Sequence, residues 1–272
     1  MDPKLQTRIQ RYGWDAASAF YEQAWQGPMQ PAHRTLIEKA ALQPGERVLE
    51  CACGSGLVTR MIADAVGPKG QILATDLSQN MVDMTARQCT AEGMVWVRTV
   101  RMSAEDLTVE PEHFDAALCA LGIMYAPDPL AAVRSMRRAV RPGGRVVATV
   151  WGQRKNCGWA EIFPIVDARV ATEVCPMFFG PGTAGNLARD FEKADLKKVC
   201  EHRQQEQLEF RDEETLLTAM FLGGAVALAV KRFTPEVMSE AHREFLASVR
   251  QFRLDDGRFR IPGEFVTVSG VR

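Results

Sequence analysis

Between Glu46 and Arg145 the chain alternates short apolar runs with stretches of helical periodicity, the pattern of βαβ units around a parallel sheet. RVLECA (47–52), QILATDL (71–77), VWVRTV (95–100), FDAALCAL (114–121) and RVVATVW (145–151) read as five strands. Helices are expected between them over Leu57 to Val66, about Asn80 to Glu92, and 130–140, the last stopped by Pro142 and Gly143-Gly144. Upstream, residues 8–41 read as helical, with Trp14, Phe20, Tyr21 and Trp25 among the apolar positions, and would lie against the sheet or over its open end. Downstream the alternation fades. Gly152 to Ala184 is rich in aromatics, Pro and Gly and reads as an insertion, in which Met177, Phe178 and Phe179 are expected to belong to a lid. One helix is expected over Glu213 to Phe233 and another from Thr234, whose hydroxyl caps it while Pro235 takes the first helical position. The end, GRFRIPGEFVTVSGVR, alternates like a strand with a bulge or kink at Pro262-Gly263.

Composition narrows the classes. The 272 residues carry 33 Lys+Arg against 34 Asp+Glu, with 46% hydrophobic and 25% charged, which fits one large globular domain and excludes a disordered or fibrous chain. A net charge of -1 gives no global attraction to nucleic acid or an acidic membrane. The start, MDPKLQTRIQ, is polar and unlike a secretion signal. The longest nearly apolar run, Ala219 to Val230, is too short for a membrane span. Seven scattered cysteines, Cys175 among them, suit a reducing cytoplasm. Cys51 and Cys53 alternate across a strand and its loop, so they face opposite sides, and no metal site is expected. Arg134, Arg137, Arg138 and Arg141 recur at helical spacing and read as a solvated outer face.

The most informative segment is VLECACGSGLVTR (48–60), a strand running into a glycine-rich turn and then a helix. Gly54 and Gly56 permit close approach of a ligand to the backbone, and the helix N-terminus offers N–H groups. A dinucleotide fingerprint needs a third glycine where Thr59 stands, and no Gly-Lys-Ser/Thr follows for a phosphate loop. A ligand with an adenosine-like ribose and no polyphosphate remains. Asp76 ends the second strand about 20 residues after the loop, where a carboxylate accepts ribose hydroxyls or else caps the next helix.

The order and spacing of these segments resembles the class I S-adenosylmethionine-dependent methyltransferases, and within them the ubiquinone and menaquinone biosynthesis C-methyltransferases and their small-molecule relatives. VLECACGSG resembles the first motif, with Glu50 at its acidic position, Ala52 in place of its first glycine, then Gly54, Ser55 and Gly56. ATDLSQNMV (74–82) resembles the second, which implies Asp76 on the ribose and Leu77 and Met81 beside the adenine. RMSAEDL (101–107) resembles the third, implying that Ser103 and Ala104 read the adenine edge. FDAALCALGIMYAPDP (114–129) resembles the fourth, putting Ala120 near the methionine moiety, and RRAVRPGGRVVATVW (137–151) resembles the run into strand five.

The resemblance implies an α/β fold with a Rossmann-like seven-stranded sheet. That sheet is mostly parallel with an antiparallel last strand, has helices on both faces, and carries a helical N-terminal leader and a lid inserted after strand five. The expected division is 1–40 as cap, 41–151 as S-adenosylmethionine-binding core, 152–195 as lid and 196–272 as the completion of the sheet. The implied cofactor is S-adenosylmethionine, leaving as S-adenosylhomocysteine, and the implied partner is a small-molecule acceptor, with the chain a monomer or homodimer.

Methyl transfer from a sulfonium needs alignment and dryness more than a base. If the acceptor is a phenol or enol, the candidate bases are Tyr21, Tyr125 and His202. Of 21 aromatics, only Trp96, Phe114 and Tyr125 lie in residues 41–150. Trp14, Tyr21, Trp25, Tyr125, Trp151, Trp159, Phe178 and Phe179 are therefore expected to wall an apolar, aromatic, quinone or polyketide-like acceptor site. The competing readings are a non-catalytic S-adenosylmethionine or S-adenosylhomocysteine binder, a nucleotide-dependent oxidoreductase, and an RNA methyltransferase, for which a basic excess would be expected.

Overall fold

The computed structural model describes residues 2–170 and 178–272, and among them seven strands join in one sheet of order β3-β2-β1-β4-β5-β7-β6. The five strands read from the sequence are β1 (Arg47–Cys51), β2 (Gln71–Asp76), β3 (Val97–Arg101), β4 (Phe114–Ala120) and β5 (Val140–Trp151). They pair in parallel. β6 (Lys197–Phe210) and β7 (Phe259–Val271) complete the sheet, and β7 runs antiparallel to both β5 and β6. The strand order reverses between β1 and β4, which opens a crevice at their carboxyl ends. Met177 and Cys175 lie outside the described residues.

The helices are α1 (Pro3–Ala40), α2 (Leu57–Val66), α3 (Gln79–Ala91), α4 (Pro129–Ala139), α5 (Ile162–Asp167), α6 (Asn186–Lys193), α7 (Glu213–Leu217), α8 (Ala227–Val230) and α9 (Pro235–Ser248). Strand parity sorts them onto two faces. Val48, Ile72, Ala74, Leu118 and Val147 point toward α2 and the end of α1, meeting Val58, Ile62, Leu36 and Ala40. Leu49, Cys51, Ala117, Cys119, Val146 and Ala148 point the other way, into the core that holds Val133 and Met136 of α4 and Phe191 of α6. Cys51 and Cys53 thus fall in opposite cores. Because the central strands are buried on both faces, they read as nearly continuous apolar runs.

α1 starts where the Asp2 carboxylate accepts the Lys4 N–H at 2.9 Å and Pro3 takes the first position. Pro28 and Pro31 withhold two interior donors, yet the helix continues to Ala40. Its buried face, including Ala24, Trp25, Met29, Ala32 and Leu36, holds it against the rest of the molecule. α9 begins as expected, with Thr234 Oγ1 accepting from Val237 N at 3.3 Å.

Three expectations change. Residues 213–233 do not form one helix: α7 passes into a π-helical turn at Thr218–Leu222, breaks at Gly223-Gly224, and α8 follows. The break lets α1 approach, because a Cβ on Gly223 would lie 3.1 Å from Ala24 Cβ, and Trp25 Nε1 donates to Gly223 O at 3.0 Å. β5 begins at Val140 rather than 145, and its partner register jumps across the Pro142-Gly143-Gly144 corner. Pro262-Gly263 makes no bulge and stays in register with Gln207 and Glu206 of β6. The Pro262 carbonyl turns away from β6 to accept Gly158 N at 2.8 Å, so its missing N–H is not needed by the ladder. The basic stripe is a largely exposed face, as expected: Arg134, Arg138 and Arg141 are exposed and Arg137 is half-buried. Arg137 pairs with Asp195 at 3.0 Å, Arg141 with Asp115 at 2.6 Å, and Arg138 donates to the carbonyls of Leu107 and Val109.

The segment after β5 is fastened to β7 by a buried carboxylate. Glu264 accepts from Gln153 N at 2.7 Å and Asn156 Nδ2 at 2.9 Å, with Arg203 at 3.4 Å. Its far end is fastened by contact alone: a Cβ on Gly182 would meet the Trp151 carbonyl oxygen at 1.8 Å. Since that neighbour is backbone and cannot swing away, Gly182→Ala is expected to destabilise the fold by about 3 kcal/mol or more. Urea denaturation checks this, and a change within error of zero would contradict the close approach.

Candidate functional site

The turn after β1 is built on left-handed backbone. Ala52, Gly54 and Gly56 have φ of 56°, 56° and 91°, and Cys53 N donates to Thr75 O at 2.9 Å, extending the β1–β2 ladder into the turn. Gly54 N donates to one Asp76 carboxylate oxygen at 2.9 Å, while Ser78 N donates to the other at 2.8 Å. Burial pushes the Asp76 carboxyl up to about 6; these N–H groups oppose the shift and the nearby Asp15 charge adds to it. Ser78 also caps α3, with its Oγ accepting from Met81 N at 3.2 Å.

Around this turn lies a cavity of about 740 Å³, open mouth included. Ala52 and Gly54 line it from β1, and Asp76 and Leu77 from β2, with Met81 from α3. Met102, Ser103 and Ala104 follow β3, and Ala120, Leu121 and Gly122 follow β4. Thr7, Gln10, Trp14 and Tyr21 of α1 close it over. That helix is pinned by polar contacts: Ser78 Oγ donates to Asp15 at 2.6 Å, Asn80 Nδ2 to Asp15 O at 3.0 Å, and Arg60 pairs with Glu22 at 3.0 Å.

Three residues of the first motif stand behind the cavity rather than in its wall. Glu50 shares the parity of Val48 and turns toward α2, where Thr59 Oγ1 donates to it at 2.6 Å. Thr59, which displaces the third glycine of a dinucleotide loop, therefore has a partner of its own. The second Glu50 oxygen is buried with no partner, and burial lifts this carboxyl to about 8, opposed by Thr59 and assisted by Asp76. Ser55 is fully buried, and Gly56 makes room for Thr85, whose Oγ1 would lie 3.2 Å from a Cβ there.

A second, apolar cavity of about 370 Å³ adjoins the first, sharing Trp14, Tyr21 and Tyr125 with it. Its wall also holds Trp25, Trp151, Trp159 and Phe178, as expected from the aromatic distribution, together with Met29, Phe163 and Met220. Trp14 meets Tyr125 edge-on at 4.9 Å and Tyr21 at 5.7 Å between centroids, making an aromatic partition. Phe179 backs the wall, packing on Phe178 at 4.7 Å, without lining the cavity.

The candidate bases separate. His202 is exposed on the edge strand β6 and lines neither cavity. Tyr21 lies in both walls, but burial and then the Asp76 charge push its phenol well above the ordinary range, so it stays protonated. Tyr125 also lies in both walls. The sequence reading missed Thr7 and Gln10, whose spacing with Trp14 and Tyr21 marks one face of α1. Among the described residues no cluster of three or more His, Cys, Asp or Glu could hold a metal ion, and no helix is long and apolar enough to cross a membrane.

Residues 48–144 match the family described as a methyltransferase domain. The chain is 31% identical over 138 residues to the ubiquinone/menaquinone biosynthesis C-methyltransferase of Shewanella woodyi, covering 50% of this chain and 55% of that protein. It is 29% identical over 193 residues to the demethylmenaquinone methyltransferase of Staphylococcus epidermidis, covering 71% and 73%. The chain thus spans about half the length of the first of these relatives. Among solved structures, the phosphoethanolamine N-methyltransferase 2 of Haemonchus contortus superposes with a TM-score of 0.62 at 17% identity, covering 95% of this chain and 57% of that one, and was solved with phosphomonomethylethanolamine and S-adenosylhomocysteine.

Two predictions follow from the turn's geometry. A Cβ on Gly122 would fall 2.3 Å from Ala52 Cβ and 2.9 Å from Cys119 Sγ. Gly122→Ala should therefore cost about 2–3 kcal/mol, of which roughly half or more returns when Ala52 is also glycine. Ala52→Gly alone should stabilise by about 1 kcal/mol, by releasing a left-handed alanine. Additive effects in urea denaturation would sink this coupling. The second concerns Glu50, whose carboxyl is raised from 4.5 to about 8 by folding. A raised carboxyl contributes stability below pH 4.5 that is lost as pH climbs through 8. The Tm of the ligand-free protein should fall over that interval, and Glu50→Gln should flatten the fall; an identical slope in the variant would refute the assignment.

Proposed function

We propose that this chain is a class I S-adenosylmethionine-dependent methyltransferase, a reading supported by its match to the methyltransferase-domain family and to the quinone-biosynthesis relatives, and that it transfers a methyl group to a small, largely apolar acceptor by in-line displacement. The observation that carries the reading is the convergence of four separate strand ends on one cavity around Asp76. In this reading residues 41–151 are the cofactor core, 1–40 its cap, 152–195 the acceptor-side insertion and 196–272 the completion of the sheet.

The residues present suit an adenosyl ligand. Each Asp76 oxygen already accepts one backbone N–H and keeps lone pairs for the two ribose hydroxyls. Leu77 and Met81 offer apolar flanks to the adenine, Ser103 and Ala104 face its edge, and Ala120 stands toward the methionine moiety. The absence of side-chain bulk at Gly54 keeps the backbone within reach of the ligand. Glu50 supports the turn from behind instead of contacting the ligand directly. Bound S-adenosylmethionine supplies an electrophilic methyl on sulfur with a neutral thioether as leaving group.

The chain's contribution is position and dryness. Trp14, Tyr21 and Tyr125 line both cavities, so an acceptor seated in the second would reach the first at the border they share. With Tyr21 protonated and His202 elsewhere, Tyr125 is the one candidate base left at the wall, and acceleration rests chiefly on alignment and exclusion of water. The names of the quinone C-methyltransferase relatives support a ring-bearing acceptor.

Titration calorimetry with S-adenosylmethionine, S-adenosylhomocysteine and NAD in parallel tests the reading, and binding of NAD alone would overturn it. Asp76→Ala should weaken S-adenosylhomocysteine by at least about tenfold, the worth of a charge-assisted contact. Because the ribose hydroxyls need the ionised carboxylate, wild-type affinity should rise with pH through about 6 and level off above it. A flat profile from pH 5 to about 7 would remove Asp76 from the contact.

A further inference from the structure

Among the described residues the wall of the second cavity contains no Asp, Glu, Lys, Arg or His. A charged ligand would find no counter-ion among these residues, and its lost hydration would go uncompensated by them. Two polar tips of the wall are committed within the protein: Trp25 Nε1 donates to Gly223 O at 3.0 Å, and Tyr21 Oη to Met29 Sδ at 3.5 Å. Trp159 differs. It is 4% exposed, yet its Nε1 is buried without any hydrogen-bond partner, the only such buried orphan that belongs to this wall among the described residues. Its ring is held by Trp151 at 4.8 Å and Phe178 at 5.7 Å between centroids, so it cannot readily turn to find a partner. Native interiors pair such donors, and an orphan calls for an explanation.

We infer that Trp159 Nε1 is the donor that recognises the acceptor, and that the acceptor is an uncharged aromatic molecule carrying a carbonyl oxygen beside its ring. The rings of the wall fit an aromatic body. A carbonyl takes one N–H and brings no hydrogen of its own, whereas a hydroxyl would add a donor to a dry wall already short of acceptors. The inference rests on the reading of this cavity as the acceptor site.

The test is a cycle of two probes and two proteins. α-Tetralone and tetralin differ by one carbonyl oxygen, and Trp159→Phe removes the N–H while keeping a ring. Each probe is titrated calorimetrically into protein with and without saturating S-adenosylhomocysteine. The substitution should weaken tetralone about tenfold and leave tetralin within about twofold, with S-adenosylhomocysteine affinity unchanged as the control for folding. Equal losses for both probes would mean that Trp159 contributes packing alone, and no loss for tetralone would remove it from recognition; either overturns the inference. If S-adenosylhomocysteine binds and neither probe does, the second cavity is not the acceptor site and the inference falls with it. If the probes behave as stated and S-adenosylhomocysteine does not bind, the methyl-donor reading fails while the recognition by Trp159 stands.

Discussion

Asp76 is the tie on which the crevice depends. Parallel strands deliver their carboxyl ends to the same edge of a sheet, but the turns that follow soon outrun the ladder, which reaches only as far as Cys53 N on Thr75 O between β1 and β2. One carboxylate oxygen takes the Gly54 N–H and the other takes the Ser78 N–H, so a single buried side chain fixes the β1 and β2 turns relative to each other. Ser78 passes the constraint on, capping α3 with its oxygen and donating its hydroxyl hydrogen to Asp15 on α1. The glycine turn, the adjacent helix and the covering helix are therefore joined through a few hydrogen bonds. The same burial that makes the tie strong also makes the carboxylate reluctant to ionise.

Backbone geometry around the tie is tense in two places. Ala52 and Leu121, both non-glycine residues with positive φ, end β1 and β4 on either side of the point where strand order reverses. Such conformations persist only where the surroundings over-determine them. Here the surroundings include the paired strands below and the absence of a side chain at Gly122, which leaves the Ala52 methyl its space. The two positions cannot be read independently, since the identity of one sets what the other can be.

Much of the sheet was legible in the sequence because its central strands are apolar on both faces and its helices begin with recognisable caps. β6 was not placed for the opposite reason. As an edge strand paired on one side only, it carries Lys, Glu, His, Arg and Gln at its exposed and half-buried positions alike, a composition that guards an edge from further pairing and hides it from a search for apolar runs. The break at Gly223-Gly224 was hidden inside an apolar run, and its cause is the approach of Ala24 and Phe20 from the other end of the chain. At the candidate site, loop residues such as Gly54 and Asp76 were legible because their chemistry is local to a motif. Glu50 lay in the same motif, but strand parity turned it to the opposite face. Thr7 and Gln10 carry no distinctive chemistry, and only the docking of α1 brings them into the wall.

The docking of α1 also sets an order of events. Trp25 meets Gly223 across 198 residues of chain, and α1 precedes every other described element. Contacts of such separation form only after their distant partners exist. On a ribosome, β1 to β4 and their turns can assemble while the C-terminal elements are still being made. The aromatic cavity draws its wall from α1, from the segment after β5 and from residues 220–226, and has to wait for all three. By connectivity, then, the aromatic cavity is complete only once residues 220–226 have joined a helix that lies some two hundred residues upstream.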